Sequence, residues 1–230
     1  MKTNKTLAGL LTLVLAGTAS ATIVDTYTSG TLNLALPDNN PAGLSLSHTT
    51  TTANANLINE VDVTLNLSGG YNGDLYGYLL FQPTGDGSAT TSILLNRVGR
   101  TGASGYGDAT SGFNITLSGD TTQSYANIHS AGGTAGAVVS GTYLADGRAI
   151  SPTGDFTGVS STAGLNIMNG NNANGTWTLF LADMSAGDQS TLVSWGLDIS
   201  VVPEPVTYAL GIFGGALALL VLGCRMVKHE

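Results

Sequence analysis

Residues 57–67 read LINEVDVTLNL, and from Val61 to Leu67 every second side chain is apolar. A period of two places the apolar side chains on one face of an extended strand and the polar ones on the other. Similar apolar runs recur within residues 30–200, at 74–81, 92–98, 113–117, 176–181 and 192–199. Stretches rich in glycine, asparagine and aspartate separate them, and no segment has a convincing helical period. The pattern predicts an all-β fold, a two-sheet jelly-roll-type β-sandwich.

The charge of this β region is strongly negative. Between Thr22 and Val202 three arginines face 13 acidic residues, which gives a net charge of −10, and lysine is absent. Such a surface repels phosphate backbones, so nucleic-acid binding is excluded as a function. The only cysteine of the chain is Cys224, so the β region forms no internal disulfide and depends on its core or on bound ions.

The N-terminus has the three parts of a secretory signal. Lys2 and Lys5 precede an apolar run over residues 7–16, which is too short to span a bilayer, and Ala19-Ser20-Ala21 follows. This order predicts a signal peptide over residues 1–21. Signal peptidase would cut after Ala21 and leave Thr22 as the mature N-terminus.

The C-terminus has the features of a membrane span. Residues 206–224 contain no charged side chain, and a helix of this length measures about 28 Å, close to the thickness of the bilayer core. Arg225 and Lys228 follow directly. Because positive charge stays on the cytoplasmic side, the sequence predicts export of the β region through the inner membrane, with a transmembrane helix over residues 206–224.

The residues around this helix resemble a sorting signal. Pro203-Glu204-Pro205, the apolar segment, Arg225 and Lys228 at a basic end and an immediate C-terminus resemble the PEP-CTERM signal of Gram-negative bacteria over residues 202–230. The resemblance implies recognition by an exosortase-type membrane protease, removal of the anchor and release to the cell surface or extracellular matrix. Family members usually carry an arginine cluster, which Met226-Val227 interrupts here. The alternative is a plain single-span anchor.

The β region resembles the P domain, or Homo B domain, of subtilisin-like proprotein convertases. The resemblance rests on residues 36–43, 71–75, 141–143, 172–179, 186–188 and 192–195. It implies a jelly roll over residues 30–201, after a lead-in at residues 22–29. Residues 120–140 depart from the family pattern. In the convertases a catalytic domain precedes the P domain, and residues 22–35 of this sequence are too few to form one.

Trp177 and Trp195 lie in two successive predicted strands, joined by a stretch from Asp183 to Asp188 that suits a hairpin. Large rings on such strands favour the core of the sandwich. The alternative is an exposed aromatic platform for sugars.

Catalytic and metal-binding motifs are sparse. Only His48 and His129 offer a base in the β region, and neither lies in a nucleophile or triad motif, so no catalytic residue is assigned. Calcium is the one cofactor to consider, because it binds the carboxylate and carbonyl oxygens of acidic loops. The candidate ligands are Asp38, Asp74, Asp108, Asp120, Asp183 and Asp188. Aspartates in such places also make turns without any ion.

These observations predict a non-catalytic surface or matrix protein whose sandwich is an interaction module. Its partners would be signal peptidase, an exosortase-like protease and an extracellular glycan or protein. Two alternatives stay open: a hydrolase or protease-associated protein, and a purely structural matrix spacer.

Overall fold

Ten β-strands make up most of the regular structure in residues 22–51, 56–85, 87–103 and 105–203, the ranges that this computed structural model describes. The predicted signal peptide and the predicted helix at residues 206–224 lie outside these ranges. No helix within them is long and apolar enough to cross a membrane. The described residues belong to a single compact unit over residues 21–204.

The strands form two sheets, as an all-β fold predicts. Sheet A has the order β1-β10-β4-β7-β8, with β2 also paired to β10, and sheet B has the order β3-β9-β5-β6. The strands are β1 Thr22–Thr28, β2 Leu34–Ala35, β3 Leu44–Thr50, β4 Asn56–Gly69, β5 Leu75–Pro83, β6 Thr90–Asn96, β7 Phe113–Ser118, β8 Val139–Leu144, β9 Gly175–Asp183 and β10 Ser190–Pro203. All pairs are antiparallel except β7 with β8. Short 3-10 turns lie at Asn72–Asp74, Ile128–Ser130 and Leu165–Met168.

The longest ladder joins β4 to β10. It runs from the Ser190–Gly69 pair to the Pro203–Asn56 pair. A bulge between Leu192 and Ser194 shifts the register, and it lets both Leu192 and Trp195 face the core although they are three residues apart. Within residues 192–199, the core side chains therefore follow an even-numbered position before the bulge and odd-numbered positions after it.

The stretch at residues 22–29, which the sequence assigned to a lead-in, contains β1 at the edge of sheet A. Among the described strands, β1 pairs with β10 alone. The hairpin predicted between the two tryptophan strands is wrong, because β9 lies in sheet B and β10 in sheet A. The loop over residues 184–189 instead crosses from one sheet to the other.

Both indole rings lie between the sheets. Trp177 is 0% exposed and Trp195 is 1% exposed. The ring of Trp177 stacks on Phe81 with centroids 3.9 Å apart, and Tyr27 meets Trp195 edge-on at 5.0 Å. Leucine, isoleucine and valine from the inner faces of both sheets surround them, so each ring fills a large share of the core.

We expect Trp177→Ala and Trp195→Ala each to lower the free energy of unfolding by about 3–5 kcal/mol, because truncation of a buried large aromatic leaves a cavity. Denaturant unfolding of the purified protein measures the loss. Tyr106→Ala is the control, since Tyr106 is 78% exposed and its loss should change stability by less than about 0.5 kcal/mol. A tryptophan variant as stable as the wild type would contradict a core role for that ring.

Candidate functional site

A cavity of about 500 Å³ opens beside His129. Its walls come from three loop regions, residues 99–108, 129–132 and 148–159, which lie between strands along the chain. Arg100 and Arg148 line it, so two of the three arginines of this acidic domain meet at one place. Asp108 lines the same cavity.

His129 has an acceptor at each ring nitrogen. Nδ1 lies 2.7 Å from Oδ2 of Asp146, and Nε2 lies 2.9 Å from the carbonyl oxygen of Arg100. A carbonyl oxygen can only accept a hydrogen bond. Nε2 therefore carries a hydrogen and donates a hydrogen bond to the backbone oxygen of Arg100. Neither nitrogen presents a free lone pair to the cavity. The contact resembles the histidine–aspartate pair of a catalytic triad, but the nitrogen that would act as a base is engaged.

Asp146 ties the loops around the cavity together. Its carboxyl group is fully buried, accepts hydrogen bonds from Arg148 and from the backbone amide of Asn96 at the end of β6, and lies 2.7 Å from Nδ1 of His129. The Arg148 contact is also an ion pair at 3.2 Å. A buried carboxylate with several donors is stable only while they all remain in place, so Asp146 fixes the geometry of this wall.

Arg100 fastens two of the cavity loops by its guanidinium group. It donates to the carbonyl oxygens of Gly102, Ala103 and Pro152, and it lies over the ring of Phe156 at 5.3 Å from the centroid. The side chain is nearly buried. These contacts assign Arg100 a structural part in shaping the cavity wall.

A second cluster gathers four of the six calcium candidates, next to the loop of Arg100 and Asp108. The buried Asp74 and Asp183 interact electrostatically with each other, as do Asp183 with Asp38 and Asp74 with Asp188. Asp38 also accepts a hydrogen bond from the backbone amide of Gly187. We call these four carboxylates the acidic end.

Asp183 is the most unusual member of the acidic end. It is 0% exposed, and its Oδ2 atom has no hydrogen-bond partner among the residues that the structure describes, while Oδ1 accepts from the amide of Ser185. Burial, followed by the charges of Asp74 and Asp38, raises the pKa of Asp183 to about 6. Burial also raises the pKa of Asp74, although Ser185 and Arg97 act in the opposite direction.

Arg97 supplies a cation to this end. Its NH2 group lies 3.1 Å from Oδ1 of Asp74, and the same group donates to Oγ of Ser185. Its Nε donates to the carbonyl oxygen of Gly73. The backbone of Arg97 is left-handed, with φ of 51°, a conformation that non-glycine residues rarely adopt. The strain is tolerated where these contacts hold the side chain.

The acidic end has some features that suit calcium and some that do not. The unpartnered buried oxygen of Asp183 is a suitable ligand for a hard cation. Asp74 and Asp38 already accept hydrogen bonds from protein donors. Across the described ranges, no three acidic, histidine or cysteine side chains are arranged to hold a metal ion. The acidic end is therefore not a preformed metal cage.

The other two calcium candidates are not part of the acidic end, although the backbone of Asp108 accepts a hydrogen bond from Gly73 beside it. Asp108 lines the cavity beside His129, and Asp120 caps its own turn by accepting two hydrogen bonds from Thr122.

A further acidic group, which sequence reasoning did not identify, lies on sheet A. There Asp62 and Asp198 are direct cross-strand partners and Glu60 stands beside them. Burial and the charges of Asp62 and Asp120 raise the pKa of Glu60.

His48 has a structural contact of its own. Its Nε2 lies 2.9 Å from Oδ2 of Asp25, which also accepts from Thr50, and its ring stacks on Tyr27. His48 belongs to β3 in sheet B and Asp25 to β1 in sheet A, so the pair links the edges of the two sheets.

Comparison with known proteins identifies no family. No family model matches the chain, and no curated protein matches it. The similar solved structures include the complex of the Aeromonas sobria serine protease with the chaperone, at 16% identity and a TM-score of 0.43, and the serine protease of Aeromonas sobria, at 16% identity and a TM-score of 0.41. The matches cover 80% and 79% of this chain but only 28% and 27% of those chains. Likenesses this distant transfer no activity.

The raised pKa of Asp183 predicts a pH-dependent stability. In the unfolded chain the carboxyl has the ordinary aspartate pKa of 3.8, whereas in the folded chain its pKa is about 6. The protonated carboxyl of Asp183 therefore contributes its full stabilisation below the pKa of the unfolded chain. This contribution is lost as the pH rises through the higher pKa of the folded chain. The amide introduced by Asp183→Asn would stay neutral throughout. Between about pH 4 and about pH 7 the wild type should therefore lose stability relative to this variant. The difference between their free energies of unfolding should change by about 1–3 kcal/mol in favour of the variant.

Denaturant unfolding at several pH values measures this difference. Asp155→Asn is the matched control, because hydrogen bonds from Thr157 lower the pKa of the exposed Asp155 and its neutralisation gives no gain at neutral pH. A constant difference between Asp183→Asn and the wild type across this range would show that Asp183 ionises normally in the folded protein.

Proposed function

We propose that this protein is an exported, non-catalytic component of the cell surface or extracellular matrix, and that its β-sandwich is an interaction module. The observation that carries the proposal is the engagement of both ring nitrogens of His129. The cavity beside it has the size of a ligand site and lacks a histidine that is free to accept a proton. This favours binding over hydrolysis.

The finer fold assignment is part of the same proposal. The sandwich would be a jelly roll of P-domain type that serves as a recognition domain. Its two sheets and the sequence segments quoted above support this assignment. A protease-associated protein is the second candidate, on the basis of the same segments.

A calcium ion at the acidic end is the cofactor that we propose for this module. Asp183 would supply its unpartnered oxygen, and because the carboxylates are not arranged in advance as a cage, its neighbour Asp38 would have to approach when the ion binds. A bound cation favours the ionised carboxylate, so calcium would lower the pKa of Asp183 and flatten the pH dependence of stability described above.

The interaction module predicts binding without turnover. The purified full-length protein, kept in mild detergent because residues 206–224 are apolar, should be retained on part of an array of glycans and peptides. It should leave fluorogenic ester, peptide and glycoside substrates intact. Hydrolysis that disappears in His129→Gln or His48→Gln would overturn the proposal in favour of an enzyme. Neither binding nor hydrolysis would favour a structural spacer.

For the C-terminal tail we propose a processing signal of the exosortase type and not a permanent anchor. Strand β10 extends to Pro203, where it pairs with Asn56, and Glu204 and Pro205 follow immediately in the chain. Two prolines restrict the backbone and favour an extended segment, the form that a protease takes into its active site. Spanning a membrane requires an apolar helix and flanking charges, but not this Pro-Glu-Pro motif.

We expect Pro203→Ala combined with Glu204→Ala to leave membrane insertion intact and to abolish release. Fractionation of the native host, with an antibody against the β-sandwich, follows the protein from the inner membrane to the surface and medium. Asp155→Asn is a matched control for expression, because it changes an exposed residue of the exported domain and leaves the tail untouched. Wild-type protein found at full length only in the inner membrane would contradict the processing signal. The tail would then be a simple membrane anchor.

A further inference from the structure

An aromatic cluster lies on the outer face of sheet B, opposite to the side that packs in the core. In β5, Leu75, Leu79 and Phe81 are fully buried, whereas the alternate residues Tyr76 and Tyr78 point outward and are half-buried. Phe180 of β9 is the direct partner of Tyr78 and faces the same way. The three rings therefore form a surface of their own.

These rings are packed against one another in a fixed arrangement. Tyr78 and Phe180 are stacked with centroids 4.7 Å apart, and Tyr76 meets them edge-on at 6.0 Å and 6.3 Å. Gly43 lies so close to Phe180 that a Cβ there would be 2.8 Å from its Cζ atom, which holds the ring from the side. The tyrosine hydroxyls have no hydrogen-bond partner among the described residues, and burial raises the pKa of Tyr76, so its hydroxyl remains a donor.

Rows of small polar side chains continue the surface beside the rings. Ser47 lies next to Thr178, with hydroxyl oxygens 2.9 Å apart, and Thr49 lies next to Thr176 in the following row. Along β5 the surface extends from Tyr76 to Gln82, which is about 20 Å of strand. The whole face thus combines ring surface with hydroxyl and amide groups.

Charge distinguishes this face from the rest of the domain. The four strands of sheet B contain one acidic residue, the buried Asp183, and no lysine or arginine. The outer face of sheet A carries Glu60, Asp62 and Asp198 instead. A basic partner would favour that acidic face, and the net charge of −10 disfavours an anionic polymer anywhere on the domain. The neutral face is complementary to an uncharged partner.

We propose that Tyr76, Tyr78 and Phe180, together with the hydroxyl rows beside them, bind an uncharged polysaccharide. The apolar C–H face of a sugar ring packs on aromatic rings, and its hydroxyls bond to serine, threonine and glutamine. This inference rests on the proposed function and names its ligand class and site. From the sequence alone, Trp177 and Trp195 are candidates for a surface that binds sugars, but both are buried. We assign that function to the three outward-facing rings instead.

Affinity electrophoresis of the full-length protein tests the site, with gels that contain laminarin, dextran or soluble xyloglucan as neutral glycans and alginate as an anionic one. We expect a neutral glycan to retard the wild type, and Tyr78→Ala to weaken binding by about tenfold or more, as for a central interface ring. Tyr78→Phe should retain most of the affinity because the ring remains. Tyr106→Ala, which removes an exposed tyrosine elsewhere, is the matched control.

Ser47→Lys provides a second variant in case Tyr78→Ala unfolds. It adds bulk and charge to an exposed position of the hydroxyl rows and leaves the rings in place. Binding of a glycan or a peptide that neither variant weakens would overturn the platform and leave the interaction module standing. No retardation of the wild type by any neutral glycan would overturn the platform directly. Concentration-dependent self-association that Tyr78→Ala abolishes would instead identify this face as a contact between two copies of the chain.

Discussion

The pairing of β4 with β10 is the interaction on which the rest of the structure depends. It joins residues 56–69 to residues 190–203, from opposite ends of the domain, along the full length of both strands. β1 and β2 attach to β10, and β7 attaches to β4, so sheet A is assembled around this one ladder. The same strands supply Val61, Leu65 and Trp195 to the core. With no cysteine in the domain, no covalent link replaces this ladder if it opens.

Much of the fold could be predicted from the sequence, because strands with one buried face carry a period of two. Residues 57–67 alternate clearly and lie within β4. β8 is harder to predict, since half of its residues are exposed and its pairing with β7 is parallel. The error about β9 and β10 has a physical cause. Both strands bury a tryptophan, and alternation identifies which face of a strand is buried but not which sheet the strand joins.

The candidate sites were less accessible to sequence reasoning. The sequence shows acidic residues in turn-rich stretches, among them Asp38, Asp74 and Asp183. It does not show that these three carboxylates interact, because they come from segments far apart in the chain. The part of Arg97 depends on a left-handed backbone, and its signal in the sequence is only its rarity in an acidic domain. Tyr76 and Tyr78 lay within a predicted strand, where alternation with Leu75 and Leu79 places them outward. Their pairing with Phe180 required the register of β5 against β9.

The position of β10 has a consequence for secretion. A polypeptide that crosses a membrane from its N-terminus delivers β1 first and β10 last, yet β1 has β10 as its single neighbour in sheet A. Until Ser190–Pro203 has emerged, the apolar face of β4 is exposed beside an open strand edge. Such an order makes folding a late event with many contacts between distant residues, which is slow and open to aggregation. If the chain is exported as proposed above, its translocation and folding would be successive and not concurrent steps, and the domain would need protection in the interval between them.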